Sequence, residues 1–275
     1  MKTIPFTKMS GAGNDFIIVD ATNVRGMDLT RLTKTACERT DGIGADGLLI
    51  IDKSKRADYR MRIINADGSE AEMCGNGARC LAAYIVKNKK PKKAHFTLDT
   101  LAGVLEAYMT KDLANVHLSD PQNYRPNIKI NLNERDLTVH YIDTGVPHTI
   151  VYVDNLHAID VYTIGHKIRN HEHFKPRGTN VNFLEQINDS LVEVRTYERG
   201  VEDETKACGT GAVASGIITY LKMNPSVKNK SKAKMNVKTK SGEVLEITFD
   251  IKDAKPTNVW LKGSAKFIAE GKYFI

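Results

Sequence analysis

No apolar run in this chain approaches the roughly 18 residues that a membrane-spanning helix needs. Its opening segment, MKTIPFTKMSGAGNDF, has one early lysine but neither an apolar h-region nor a small-residue cleavage site, so it does not read as a secretory signal. The expectation is a cytoplasmic protein with no membrane partner. Cysteine is scarce: Cys37, Cys74, Cys80 and Cys208 in 275 residues are too few for a disulfide framework. None of the four forms a CxxC pair, and no histidine pair lies near the CxxxxxC spacing of Cys74 and Cys80. Structural zinc is therefore not expected, and no metal is assigned.

What the chain does have is apolar content, 41%, enough for real cores rather than disorder. The length suits one large domain or two of ordinary size. A net charge of +7 raises nucleic acid as a partner. Much of the excess lies in two lysine clusters, Lys87–Lys93 and Lys222–Lys240. Neither is interleaved with aromatics, and both follow apolar helical stretches. They read as solvated connecting loops, so no nucleic-acid partner is expected; a basic surface would also draw in an acidic small substrate.

The chain repeats itself, and repeats decide architecture. Residues 71–84 read AEMCGNGARCLAAY and residues 205–218 read TKACGTGAVASGII. Each has a cysteine, a Gly-polar-Gly-Ala turn and an apolar stretch at helical spacing. Downstream, TLAGVLE at 100–106 is echoed by TKSGEVLE at 239–246, and VHLS at 116–119 by VWLK at 259–262. The offsets, 134, 139 and 143 residues, drift slowly, as loop insertions in one copy would make them. Short strands are predicted over 16–20, 47–52, 59–65, 95–100, 103–109 and 114–118. A second set falls at 148–153, 180–185, 191–197, 234–239, 242–250 and 257–261. Helices are predicted over 75–87, with Leu81, Ala82, Ile85 and Val86 toward a core, and over 209–221, with Val213, Ile217 and Leu221 on one face. Residues 28–39 also read as helical. The pattern is α+β (mixed α/β): two pseudo-symmetric domains, each of strands wrapped around a central helix, with a site in the cleft between them. The turn-rich DPQNYRPN at 120–127 marks the boundary.

Each repeat opens its helix at Cys-Gly. The first N–H groups of a helix lack partners and carry partial positive charge. A thiol placed there ionises more readily than a free one at about 8.5. Glycines around Asn76 and Thr210 let backbone N–H groups approach a ligand closely, and such groups suit a carboxylate. A cleft with one sulfur on each side suits one reaction class: one face of a carbon loses a proton while the opposite face gains one. A carbanion held by helix N-termini needs no cofactor. Cys37 and Cys80 read instead as small buried hydrophobes. A redox pair of Cys74 and Cys208 is the competing reading from another class.

Six segments carry a resemblance that runs nearly the whole length: FTKMSGAGNDF (6–16), DGIGADG (41–47), NADGSEAEMCGNGARC (65–80), TGVPH (144–148), RGTNVNF (177–183) and VRTYERGVEDETKACGTGA (194–212). The chain resembles the diaminopimelate epimerase family. The resemblance implies interconversion of LL- and meso-2,6-diaminopimelate in lysine and peptidoglycan precursor synthesis, without a cofactor. It implies Cys74 and Cys208 as the catalytic acid/base pair, with His148 and Glu198 assisting. Asn14, Asn65, Gly75, Asn76, Asn180, Glu198, Arg199, Gly209 and Thr210 are the implied substrate contacts. Glu198 can pair with an ammonium and Arg199 can fork to a distal carboxylate. Taken without the resemblance, Glu198 and Arg199 would be a surface pair at a strand end, and His148 a turn histidine. A homodimer is implied too, and a C-terminal strand returning to the first domain, which gives domains of 1–120 plus 263–275 and 121–262. Gly47 and Val146 depart from a common form of the pattern, which has Gln and Asn there. The nearest alternative is a related thiol-based racemase acting on proline, hydroxyproline, histidine or glutamate.

Overall fold

The computed structural model describes residues 2–132 and 135–275. The chain divides into two compact units, Met1–His117 with Gly263–Ile275, and Leu118–Lys262. The first unit begins with a hairpin of β1 (Thr3–Gly11) and β2 (Asn14–Asp20). Then come α1 (Leu29–Cys37), β3 (Gly47–Asp52), β4 (Tyr59–Asn65), a short β5 (Glu70–Ala71), α2 (Gly75–Tyr84), β6 (His95–Thr100), β7 (Gly103–Thr110) and β8 (Leu113–Leu118). Parallel strands need a crossover. Here α1 bridges the parallel pair β2/β3 and α2 bridges β4/β6. The pairs β3/β4, β4/β5, β6/β7 and β7/β8 are antiparallel.

The second unit repeats this order. Its strands are β9 (Gln122–Leu132), β10 (Arg135–Asp143), β11 (Pro147–Tyr152), β12 (Asn180–Asn188), β13 (Leu191–Glu198), β14 (Asp203–Thr205), β15 (Lys230–Thr239), β16 (Val244–Lys252) and β17 (Lys255–Ser264). The helices are α3 (Val161–Arg169) and α4 (Gly209–Met223). α3 bridges parallel β11/β12 and α4 bridges parallel β13/β15, while β12/β13, β13/β14, β15/β16 and β16/β17 are antiparallel. The last strand, β18 (Lys266–Phe274), pairs antiparallel with β1, and β9 pairs with β10 in the corresponding position. The duplication seen around the two Cys-Gly motifs thus extends to the strand pairings within each unit.

Each unit has a helix on either side of its strands. In β3, GLLIID, Leu48 and Ile50 join a core with Leu32, Ala36 and Cys37 of α1, while Leu49 lies against Gly77 at the start of α2. A strand covered on both faces reads as a continuous apolar run, as this one does. In β12, Val181 and Phe183 pack with Val161 and Ile168 of α3. The alternate residues Asn180, Asn182 and Leu184 are therefore turned to the other face, where α4 lies. Both α2 and α4 are buried on nearly every side, as central helices must be. Ile217 and Val213 of α4 are almost fully enclosed; Leu81 and Ala82 of α2, and Ile85 just past its end, are buried as predicted, but Val86 is exposed.

Some elements were not legible. β1 and β18 are poor in apolar alternation, and β18 is exposed along nearly its whole length; β9 and β10 carry a period-2 pattern, Ile128, Ile130, Leu132 and Leu137, Val139, Tyr141, that the predicted strands leave out. α3, VYTIGHKIR, is rich in β-branched residues and contains a glycine, both weak helix formers. It is fixed by its cap and by burial of Val161, Gly165 and Ile168. The turn-rich segment 120–127 enters strand β9 at Gln122, with Asn123 and Asn127 at φ of 56° and 54°. The lysines of 222–240 are not mainly a loop: most lie on β15, whose alternate residues Ala233, Met235 and Val237 are buried.

Two of the helices start alike. Asp28 accepts the Arg31 N–H at 3.1 Å and Asp160 accepts the Thr163 N–H at 3.0 Å. Loss of such a cap costs about 1 kcal/mol. Asp28→Ala and Asp160→Ala are each expected to lower stability by about that amount, and equally. Denaturant titration of both variants checks this.

Candidate active site

Helix caps are normally Ser, Thr, Asp or Asn. α1 and α3 obey that rule; α2 and α4 are capped by cysteine. Cys74 is extended, at φ −143° and ψ 117°, and its Sγ accepts the Gly77 N–H at 3.5 Å. Cys208 is extended too, at φ −112° and ψ 114°, and its Sγ lies 3.4 Å from Thr210 Oγ1. Cys74 is half-buried and Cys208 is 8% exposed. Three residues past each cysteine stands a glycine packed closely against a neighbouring side chain. A Cβ on Gly77 would sit 3.1 Å from Leu49, and one on Gly211 would sit 2.4 Å from Asn182 Oδ1.

In the first unit a tight turn delivers a partner to Cys74. Ala12 and Gly13 both take positive φ, 55° and 82°, the combination of a primed two-residue hairpin. The next residue, Asn14, then faces the start of α2. Its Oδ1 is 3.7 Å from Cys74 Sγ and 3.5 Å from Asn76 Nδ2. From behind, Asn14 Nδ2 donates to Asp46 at 2.7 Å, and Arg39 ties Asp46 (2.7 Å) to Asp15 (2.9 Å). Asn65 is exposed at the end of β4, where its Nδ2 donates to Ser69 Oγ at 3.0 Å. It pairs there with Gly47, whose own Cβ would lie 2.9 Å from the Ile64 carbonyl. Cys37 and Cys80 are buried away from any such start, and burial pushes the Cys37 thiol up to about 12.

In the second unit His148 is fully buried. Its Nε2 lies 3.0 Å from Thr210 Oγ1, so it reaches Cys208 only through that hydroxyl. Burial, with the positive charge of Arg199, pushes its pKa down to about 3. The ring is neutral at neutral pH, able to hydrogen-bond but not to act as an imidazolium acid. Asn180 is held by two main-chain contacts: Nδ2 donates to the Pro147 carbonyl and Oδ1 accepts the Arg199 N–H, both at 2.9 Å. Glu198 ends β13, half-buried and opposite Asp203. Arg199 donates to the Arg177 carbonyl at 3.1 Å and has no carboxylate within ion-pair distance among the described residues. Burial, with Arg177 and Arg169 nearby, lowers its pKa from the ordinary value. Gly209 and Thr210 open α4, and the Thr144 hydroxyl holds the Thr210 carbonyl at 3.2 Å.

The first unit thus gathers Asn14, Cys74, Gly75 and Asn76, with Asn65 apart on Ser69. The second gathers His148, Cys208, Gly209 and Thr210, with Asn180 joined to the backbone of Arg199. Sequence reasoning missed Asn182, Asp46 and Arg39. For Asn182 the signal was present: in RGTNVNF a polar residue stands between Val181 and Phe183, on the core face opposite to theirs.

A family model described as diaminopimelate epimerase matches residues 6–122 and 140–268. The chain belongs to the diaminopimelate epimerase family. Diaminopimelate epimerases of Hydrogenobaculum and Aquifex aeolicus are each 39% identical to it, over 96% and 97% of the chain and 96% of each relative. That of Archaeoglobus fulgidus is 37% identical over 98% of the chain and 95% of the relative. This is a family of isomerases. Among solved structures, a PhzF-family protein of Bacillus anthracis covers all of both chains with a TM-score of 0.76 at 19% identity. A hydroxyproline epimerase of Agrobacterium vitis, with bound trans-4-hydroxy-L-proline, covers 99% of the chain and 92% of its own, with a TM-score of 0.74 at 13% identity. The fold of this diaminopimelate epimerase family member is shared with both.

Because the folded chain keeps His148 neutral down to about pH 3, the unfolded chain binds a proton that the folded one refuses. Stability therefore falls as pH drops below about 6.5, by about 1.4 kcal/mol per unit, until the folded pKa is reached. Between pH 6.5 and 4.5 the wild type is expected to lose about 2–3 kcal/mol more than His148→Gln, as measured by urea denaturation at the two pH values.

Proposed function

We propose that this chain interconverts LL- and meso-2,6-diaminopimelate by passing an α-proton between Cys74 and Cys208. The observation that carries this reading is the pair of cysteines at helix N-cap positions, one in each copy of a duplicated unit, in a chain of this family. One sulfur, as thiolate, takes the proton from the α-carbon and becomes a thiol. The other, as thiol, gives its proton to the opposite face and becomes a thiolate. The configuration inverts, and the two sulfurs have exchanged protonation states. A pKa near the working pH suits a group that must both take and give a proton.

The carbanion is an enediolate in its resonance form, and its charge falls on the α-carboxylate. Backbone N–H groups at Gly75–Asn76 and Gly209–Thr210 are suited to hold that charge. Arg199 has a guanidinium without a carboxylate partner among the described residues, the group a distal carboxylate would take. Glu198 suits an ammonium, while Asn14, Asn65 and Asn180 supply further contacts. No cofactor has a part in this scheme. We place the activity in the cytoplasm, in a homodimer, supplying lysine and peptidoglycan precursors.

The test is α-proton exchange in deuterated water. Deuterium is expected to enter the inverted product from either LL- or meso-diaminopimelate. Cys74→Ala and Cys208→Ala are each expected to reduce epimerisation by about a hundred- to ten-thousandfold, the usual worth of a positioned acid or base. Wild-type turnover in either variant would sink the two-thiol scheme. Exchange into proline but not diaminopimelate would assign the chain to another thiol-based racemase.

A further inference from the structure

Asn182 is fully buried on β12, and the proton transfer described above does not use it. Its Nδ2 donates to the Thr149 carbonyl at 3.2 Å and lies 3.1 Å from His148 Nδ1. Its Oδ1 accepts the Thr196 hydroxyl at 3.0 Å. A main-chain carbonyl only accepts, so Thr149 determines which end of the amide is the NH2. The imidazole nitrogen facing that NH2 must then be the bare one, and the ring proton sits on Nε2. An Nε2–H donates to Thr210 Oγ1, which leaves the Thr210 hydroxyl proton for Cys208 Sγ.

We propose that Asn182 is a positioning residue that locks His148 as the Nε2–H tautomer, so that Thr210 donates its hydroxyl proton to the Cys208 sulfur. With the other tautomer the chain of bonds would reverse. Thr210 would donate to His148 and accept from the Cys208 S–H, favouring the thiol over the thiolate. One amide, held by Thr149 and Thr196, therefore sets the polarity at a sulfur three bonds along the chain. Gly211 has the same logic, since any side chain there would collide with Asn182 Oδ1 at 2.4 Å. The charged group acting on His148 is Arg199, which also opposes a second ring proton. The proposal rests on the reading of Cys208 as an acid/base thiol.

Long-range ¹H–¹⁵N NMR of the wild-type chain, with His148 assigned by its loss in His148→Gln, reads the tautomer directly. The Nε2–H form is expected at pH 7; the Nδ1–H form or an imidazolium would overturn the proposal. Asn182→Asp puts an acceptor against Nδ1 and is expected to convert the ring to Nδ1–H. The iodoacetamide reaction of Cys208 should then move to higher pH and slow about tenfold at pH 7, the worth of one hydrogen bond to the sulfur. A purely structural role would lower stability and leave that pH profile in place, and an unchanged profile with a converted ring would overturn the proposal. If the variant does not fold, the wild-type tautomer still decides. Neither readout uses substrate. A chain that passes both and does not epimerise diaminopimelate would refute the function and leave the lock standing.

Discussion

The sulfur that caps a buried helix is the interaction on which the rest depends. A helix start offers N–H groups without intrahelical partners, and a Ser or Asp in the cap position would satisfy them and nothing more. A thiol in the same position is held by the same groups but keeps a proton that can leave. Cys74 takes the Gly77 N–H in this way. The glycines past each cysteine, the primed turn at Ala12–Gly13 and the polar brace of Asp46 and Arg39 all serve to bring groups up to that sulfur.

The two copies share a scaffold but not the wiring around the sulfur. Cys74 meets a backbone N–H on one side and the Asn14 carbonyl on the other, so it is offered both a donor and an acceptor. Cys208 meets a hydroxyl backed by a neutral, fully buried imidazole. The strand pairings of the two units are the same throughout, so the difference lies in a few side chains on β2, β11 and β12. A duplicated fold thus surrounds two groups of one chemical type with different hydrogen-bonding partners.

Legibility in the sequence followed the strength of local signals. The Cys-Gly helix starts were plain because two copies of one unusual motif stand in one chain, and β3 was plain because GLLIID is buried on both faces. β1 was missed because its apolar alternation is weak and its β18 partner lies at the other end of the chain, whereas β9 and β10 do alternate, in Ile128, Ile130, Leu132 and Leu137, Val139, Tyr141, but the Asn- and Pro-rich start of β9 reads as a turn. The strand predicted over 234–239 is β15, which begins four residues earlier, at Lys230, with the buried Ala233, Met235 and Val237 spaced between its lysines. At the site, Asn182 escaped notice because its role exists only where β11, β12, β13 and the start of α4 meet. Asn65 was expected at the substrate on its motif alone, and the structure engages it with Ser69.

The central claim is that two thiols of the four differ from the others because they stand at the N-cap positions of the two central helices. Peptide mapping of iodoacetamide-treated chain at neutral pH, with and without meso-diaminopimelate, tests it most directly. The account predicts that Cys74 and Cys208 are alkylated and that substrate protects both, while Cys37 and Cys80 react only on unfolding. Alkylation of Cys37 or Cys80 in the folded chain at the same rate, or no protection of Cys74 and Cys208 by substrate, would contradict it.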